Sequence, residues 1–402
     1  MSKRRESGGY LYLDVLGGLH HKLHHMMPVD FVEWWQKKTG ISLTATTPVE
    51  ESPFEPVDLD AIFESGQPDC LYEGEGDIPY RGQEAAKRRA TVYIEGMQAG
   101  DRCKFLLTGP AGTGKTTLAR ILGRKIQLRH WWLGVPMGGY YELLPAQVHE
   151  KEKLDLFFRT IVQDPYATVF VDEVHTLTNV ENLFHVLHDT GNLWYPMADG
   201  SRLEVPKTIS WIFATTDKGE ADKTTGGALL RRMQPELRLE PPTKDDLIAI
   251  ATDQASHDGV RIHPEAAAEM AERSTFPWEM KLIYGEAKLV ARVNGSNEIL
   301  PEHAEEAFEM MRIDPNGLNQ EDRDVIKALL NVNDGKGIAL ATKPNVVRYR
   351  MDEASLCAVA GVDRETYRKK IKPKLIAKDY LIVLGGQCLT DKALREYGWL
   401  AA

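Results

Sequence analysis

The chain has 402 residues, 43% hydrophobic and 27% charged, with a formal net charge of −10. That length allows roughly two to four domains and a large core, and the acidic balance excludes non-specific nucleic-acid binding by the surface as a whole, leaving only a local basic face for that role. The four cysteines, Cys70, Cys103, Cys357 and Cys388, form no CxxC pair, which excludes a disulfide frame or zinc ribbon and points to a reducing compartment. No apolar run reaches bilayer length, and no apolar stretch of signal-peptide kind follows the basic start MSKRRESGGY.

Residues 10–40 carry apolar and aromatic positions, among them Phe31, Trp34 and Trp35, at helical spacing. His20, His21, His24 and His25 share helix faces. With no acid or cysteine to complete a set, they read as a polar or interaction face rather than a metal site. The Pro-, Thr-, Ser- and Glu-rich run 42–58 reads as a linker. From 71 to 240, short β-rich runs alternate with helical ones, as in a parallel α/β sheet. The clearest strands are 103–108, 167–171 and 208–214.

The first strand runs into Gly109, Pro110, Ala111, Gly112, Thr113, Gly114, Lys115, Thr116 and Thr117, which have the spacing of a phosphate-binding loop. Glycines let backbone N–H groups close around phosphate oxygens. Lys115 supplies a point charge for the β- and γ-phosphates, and the Thr116 hydroxyl suits one Mg²⁺ position. The periodic run 117–126 makes the loop a helix N-terminus, which favours anions. The second strand ends in Asp172 and Glu173, the first suited to the metal shell and the second to polarising an attacking water. The segment ATTD at 214–217 follows a third buried strand, where a polar residue would lie between the two motifs.

Beyond 243 the sequence predicts four helices, at 243–254, 263–273, 277–293 and 300–312, and no further strand until near the C-terminus. After a turn at 314–317 come helices at 321–331, 352–360 and 363–378 and two short strands around 384–387. That order predicts a winged helix-turn-helix.

The order of motifs resembles the AAA+ ATPases, and more narrowly the RuvB family of branch-migration motors, over residues 71–400. GPAGTGKTTLA is similar to the family's phosphate loop and FVDEVH to its acidic motif. IFATTD is similar to the sensor segment, implying that Thr216 positions water. LLRRM falls on the arginine-finger segment, implying that Arg232 acts in a neighbouring subunit's site. YRGQEAAKRRA at 80–90 is similar to the segment over the adenine, implying contact near Tyr80. The joint RIDPNGLNQEDRDVIKALL is similar to the family's entry into its winged-helix domain.

The resemblance implies a P-loop core of parallel sheet and helices at 71–242, a helical lid at 243–313 and a winged-helix domain at 314–402. Residues 1–70 form an extension with no counterpart. It also implies ATP and Mg²⁺ as cofactors, a hexameric ring, DNA as partner and a bacterial cytoplasm, whether the gene is the cell's or a phage's.

Three departures stand out. The lid's Pro-Arg is Pro277-Trp278, so either Lys281, one turn on, replaces the charge or lid coupling is weak; we expect the former. The wing tip, 384–387, has no charge. The hairpin that grips the family's RuvA partner corresponds to 189–207, with Leu193, Trp194 and Tyr195 of different character. A RuvA-like partner, on that hairpin or on the N-terminal segment, therefore stays open.

Segment 361–380 holds Arg364, Arg368, Lys369, Lys370, Lys372, Lys374 and Lys378 against Asp363, Glu365 and Asp379. Arg364, Arg368 and Lys372 recur every four residues at the recognition-helix position. With Lys369 they are the candidate phosphate contacts, the plain alternative being a solvated basic face. Tyr140 and Tyr141, beside Gly138 and Gly139, suit base stacking in a ring pore, gripping of a peptide, or simple packing. The sequence thus predicts an ATP-hydrolysing DNA motor. A nucleotide-switched loader that assembles on DNA and a protein remodeller are the alternatives.

Overall fold

The computed structural model describes residues 5–7, 10–12, 78–143, 150–174, 185–187, 192–216, 231–332, 338–340, 343–348 and 350–401. The histidine cluster, the aromatic residues at 31–35 and the 42–58 run lie outside the described residues. The described chain falls into two compact units. One takes 85–108 and 116–237 with the N-terminal strands; the other takes 78–84, 109–115 and everything from 238 on. The segments 243–313 and 314–402 fall together in the second unit.

In the first unit, β1 (Arg5–Ser7) and β2 (Tyr10–Tyr12) pair antiparallel, so Tyr10–Tyr12 is strand where helical spacing was read. Then follow α1 (Glu84–Glu95), β3 (Lys104–Thr108), α2 (Lys115–Trp132), β4 (Tyr140–Leu143), α3 (Lys151–Ile161), β5 (Thr168–Val171), the hairpin β6 (Trp194–Pro196) and β7 (Arg202–Glu204), β8 (Ser210–Thr215) and β9 (Glu236–Arg238). The sheet order is β4-β5-β8-β3-β9. Strands β3, β4, β5 and β8 run parallel, Phe105 opposite Ile212 and Val169 opposite Trp211. Strands β5 and β8 are buried at every residue, which is why both read as almost wholly apolar or β-branched runs. Because β8 separates β3 from β5, the residues following these three strands emerge side by side at their C-terminal ends, where ligands of open parallel sheets bind.

The second unit begins its lid with α4 (Lys244–His257), β10 (Arg261–Ile262), α5 (Pro264–Arg273), α6 (Pro277–Val293), β11 (Glu298–Ile299) and α7 (Pro301–Met311). The four predicted helices are present. Thr243 caps α4 in a reciprocal box with Asp246, and proline opens each of the other three. The parallel pair β10–β11 corrects the expectation of a strand-free lid.

Next come α8 (Gln320–Leu330), the hairpin β12 (Ile338–Leu340) and β13 (Lys343–Arg348), β14 (Arg350–Met351) and α9 (Glu353–Ala360). A helical run α10 covers 364–377, followed by β15 (Leu381–Val383), β16 (Gln387–Leu389) and α11 (Asp391–Tyr397). The three predicted helices and the β15–β16 hairpin are present, but the hairpin β12–β13 and strand β14, between the first two helices, correct the expectation of no strand there; β14 completes a sheet of order β14-β16-β15. Within α10, residues Tyr367–Ile371 form a π turn, which locally breaks the four-residue spacing read from the sequence. No helix among the described residues is long and apolar enough to cross a membrane.

Candidate functional site

The 109–115 loop is shaped by glycines that tolerate no side chain. Gly109 has φ +147, and a Cβ there would lie 2.3 Å from the carbonyl oxygen of Leu239. Gly112, at φ +81, would place a Cβ 2.8 Å from the Trp278 indole nitrogen. Inside the turn, the Lys115 ammonium donates to the carbonyls of Gly109 (3.0 Å) and Pro110 (2.8 Å), and the Thr113 hydroxyl donates to Pro110. Ala111 and Thr117 lie in the same stretch without a specific contact of note. The Tyr80 hydroxyl donates to the Gly114 carbonyl at 3.3 Å. Its neighbour Arg81 fixes the approach, forking onto Asp253 of α4 at 2.6 and 3.0 Å.

The second cluster stands at the ends of β5 and β8 and the start of α2. The Thr116 hydroxyl donates to Asp172 at 3.1 Å. Glu173 has φ +44, a backbone region rarely used without glycine and typical of functional turns. Its carboxylate accepts both the amide (3.1 Å) and the hydroxyl (2.9 Å) of Thr216. Thus the strand order brings Thr116 to Asp172 and Thr216 to Glu173, as the motifs require. A hydroxyl–carboxylate pair, a glycine cradle and a buried ammonium suit Mg²⁺ and a triphosphate respectively.

Arg232 is helical and half-buried just before the buried Met233, with the exposed Arg231 beside it. Lys281 is exposed on α6 and makes no hydrogen bond or ion pair among the described residues. The residue that α6 places against the loop is Trp278. The lid thus meets the loop with an indole, and Lys281 stands one turn further along α6. Sequence spacing could not reveal this, because it depends on how the helix sits on Gly112.

Two other readings change. Tyr140 packs on Gly123 of α2, where a Cβ would be 2.4 Å from its ring, and stacks with Phe170. The Tyr141 hydroxyl donates to Asp164 at 3.3 Å. Both rings are structural. In the 189–207 hairpin, Leu193 and Tyr195 are buried, the latter stacked 3.9 Å from Phe158. Trp194 lies between His185 and Arg202.

The basic segment is less cationic than its sequence. Lys374 is buried, bound to Glu279 (2.8 Å) and Asp322 (2.7 Å). Burial works against its charge, and the two carboxylates more than offset that, holding the ammonium above its ordinary range. Glu353 binds both Arg368 and Lys372. Burial raises its carboxyl, and the two cations outweigh this and keep it below the ordinary glutamate range. Lys369 pairs with Glu365 at 2.6 Å. Arg364 and Lys370 are exposed. At the wing, Leu384 is exposed, but Gln387 belongs to β16 and is buried, so the uncharged tip is shorter than expected.

Residues 105–240 match the ATPase family associated with various cellular activities. The Holliday junction branch migration complex subunit RuvB of Kosmotoga olearia is 28% identical over 330 residues, covering 79% of this chain and 87% of that protein. RuvB of Fusobacterium nucleatum is 25% identical over 331 residues, with 79% and 90% covered. The solved Thermotoga maritima RuvB branch migration motor shares the fold with a TM-score of 0.62 at 22% identity, over 79% of this chain and 95% of that one. Residues 105–240 thus form an AAA-type ATPase domain, and the chain is similar to RuvB over most of its length, a type of ATPase that uses ATP and Mg²⁺.

Proposed function

We propose that this ATPase is a ring motor, hexameric in its working form, that acts on duplex or branched DNA in a bacterial or phage-infected cytoplasm. Lys115 and the loop amides bind phosphates, with Tyr80 near the base. Thr116 and Asp172 hold Mg²⁺, which when bound neutralises phosphate charge. Glu173 accepts the proton of the attacking water, and Thr216 fixes its carboxylate. Arg232 serves a neighbouring copy. The observation that carries hydrolysis is Glu173 in a strained backbone, held by both donors of Thr216. DNA as substrate is supported by the names of the relatives, which span most of their length, and by exposed cations on α10. Arg364, Arg368, Lys369 and Lys372 contact phosphate once Glu353 and Glu365 yield their partners. A RuvA-like partner on the 189–207 hairpin would meet polar residues such as Asp199, Ser201 and Arg202, which are exposed, rather than an aromatic face.

ATP turnover with and without forked DNA tests this reading. A motor gives fast, DNA-stimulated turnover and strand displacement; turnover indifferent to DNA refutes it. Lys115→Ala abolishes ATP binding. Arg232→Ala keeps binding and lowers hydrolysis by about 10³-fold, and normal hydrolysis by that variant removes the trans assignment. A nucleotide-switched loader is the second reading, favoured by the indole in place of the lid arginine and by the compensated charges of α10. It predicts one slow turnover per binding event. With Tyr140 and Tyr141 taken into the fold, the remodeller has lost its aromatic support.

A further inference from the structure

The first turn of α6 touches two things at once. On one side, the Trp278 indole and the Phe276 ring lie where a Gly112 Cβ would be, at 2.8 and 3.1 Å. On the other lies α10. The Lys370 ammonium sits over the Trp278 ring, 5.9 Å from its centre, within the range of a cation–π attraction. The next residue, Glu279, binds Lys374, one helical turn beyond Lys370. The same Glu279 accepts the backbone N–H groups of Thr275 and Phe276, so it also fixes the start of α6. Lys374 extends the tie to Asp322, which caps α8. A shift of Gly112 therefore meets a ring, not a flexible charged side chain. That ring belongs to a turn pinned to α10 by a buried ion pair.

We propose that Trp278 is a positioning residue through which the phosphate loop and the basic helix α10 report on each other. Closing the loop on phosphate moves Gly112 against the indole, and the turn of α6 carries that movement to Lys370 and Lys374. By linkage, whatever holds α10 changes nucleotide affinity by the same factor. The proposal rests on ATP binding at 109–115 and does not need DNA to be the ligand of α10.

Amide exchange on the full chain, with and without Mg²⁺ and a slowly hydrolysed ATP analogue, tests it. In the parent, exchange falls in the loop, and exchange across 364–377 changes by about fivefold or more, the lower end of ordinary coupling. Trp278→Ala keeps the loop protection and loses the response at 364–377. Trp278→Phe, which retains a ring over Gly112, restores it. A full response at 364–377 in Trp278→Ala overturns the proposal. So does loop protection in the parent without any response at 364–377, or a Phe variant that behaves like Ala. Because no DNA is present, failure here leaves the DNA reading standing, and failure of DNA binding leaves this result intact.

Discussion

The 109–115 loop and the helical run 364–377 both suit phosphate, by opposite means. The loop works through backbone: glycines at positive φ that leave no room for side chains, and a single buried ammonium turned onto its own carbonyls. The helix works through side-chain charge, and much of that charge is already balanced. Lys374 is spent on Glu279 and Asp322, Arg368 and Lys372 share Glu353, and Lys369 has Glu365. A backbone cradle is specified by the residues that form it. A charged face is specified equally by the acids that fold against it, and those come from anywhere in the chain.

The contrast is sharpest at Lys374, where a residue counted in the segment's basic balance proves to be an interior tie. Lys374→Met strands two buried carboxylates, and we expect a loss of about 3–5 kcal/mol in urea unfolding. The cost shrinks as pH falls, since burial holds the Asp322 carboxyl above the ordinary aspartate range and its protonation removes a stranded charge. It is much smaller in a chain already carrying Glu279→Gln and Asp322→Asn. A Lys374→Met chain with full stability and weakened DNA binding would return Lys374 to the surface and erase the difference between the two regions.

On the loop side, Gly109→Ala forces a Cβ to within 2.3 Å of a backbone oxygen at φ +147. The strain is about 1–3 kcal/mol, and we expect ATP affinity, measured by fluorescent-nucleotide titration, to fall at least about tenfold. Gly134→Ala is the control: φ is +74 but nothing lies within 4 Å, so stability drops slightly and ATP affinity holds. Equal ATP binding by both variants would mean that the shape of the 109–115 cradle does not matter.

The same contrast explains what was legible in the sequence. The cradle, the Asp172–Glu173 pair, Thr216 between them and the four lid helices were read from local patterns: glycine spacing, apolar runs ending in polar residues, caps and prolines. Each depends on neighbours within a few positions. The parallel pair β10–β11 is only two residues long on each side, too short to show a period. Strand β14 joins β16 across some thirty-five residues of chain, so nothing local announces it. Trp278 against Gly112 and Tyr140 against Gly123 are decided by how helices and strands pack. Arg368 and Lys372 were counted as free because Glu353 lies on the preceding helix, outside the segment whose balance was taken.

Glu353 therefore offers the finest test. Its carboxylate holds the Arg368 guanidinium and the Lys372 ammonium on one face of α10. Glu353→Gln removes that competitor and leaves a neutral side chain of the same length. If the two cations are phosphate contacts held in check, the variant binds duplex DNA a few-fold more tightly at low salt. Its log affinity then falls more steeply with log salt, by about one to two units of slope. The parent's own affinity should rise as pH falls below the ordinary glutamate range, because protonation of Glu353 releases the same pair. The carboxyl titrates low while the cations hold it, so the window opens only on the acid side. A Glu353→Gln chain with the parent's salt slope would mean that Arg368 and Lys372 serve the packing of α9 on α10 and nothing else. The candidate DNA face would then shrink to Arg364 and Lys369.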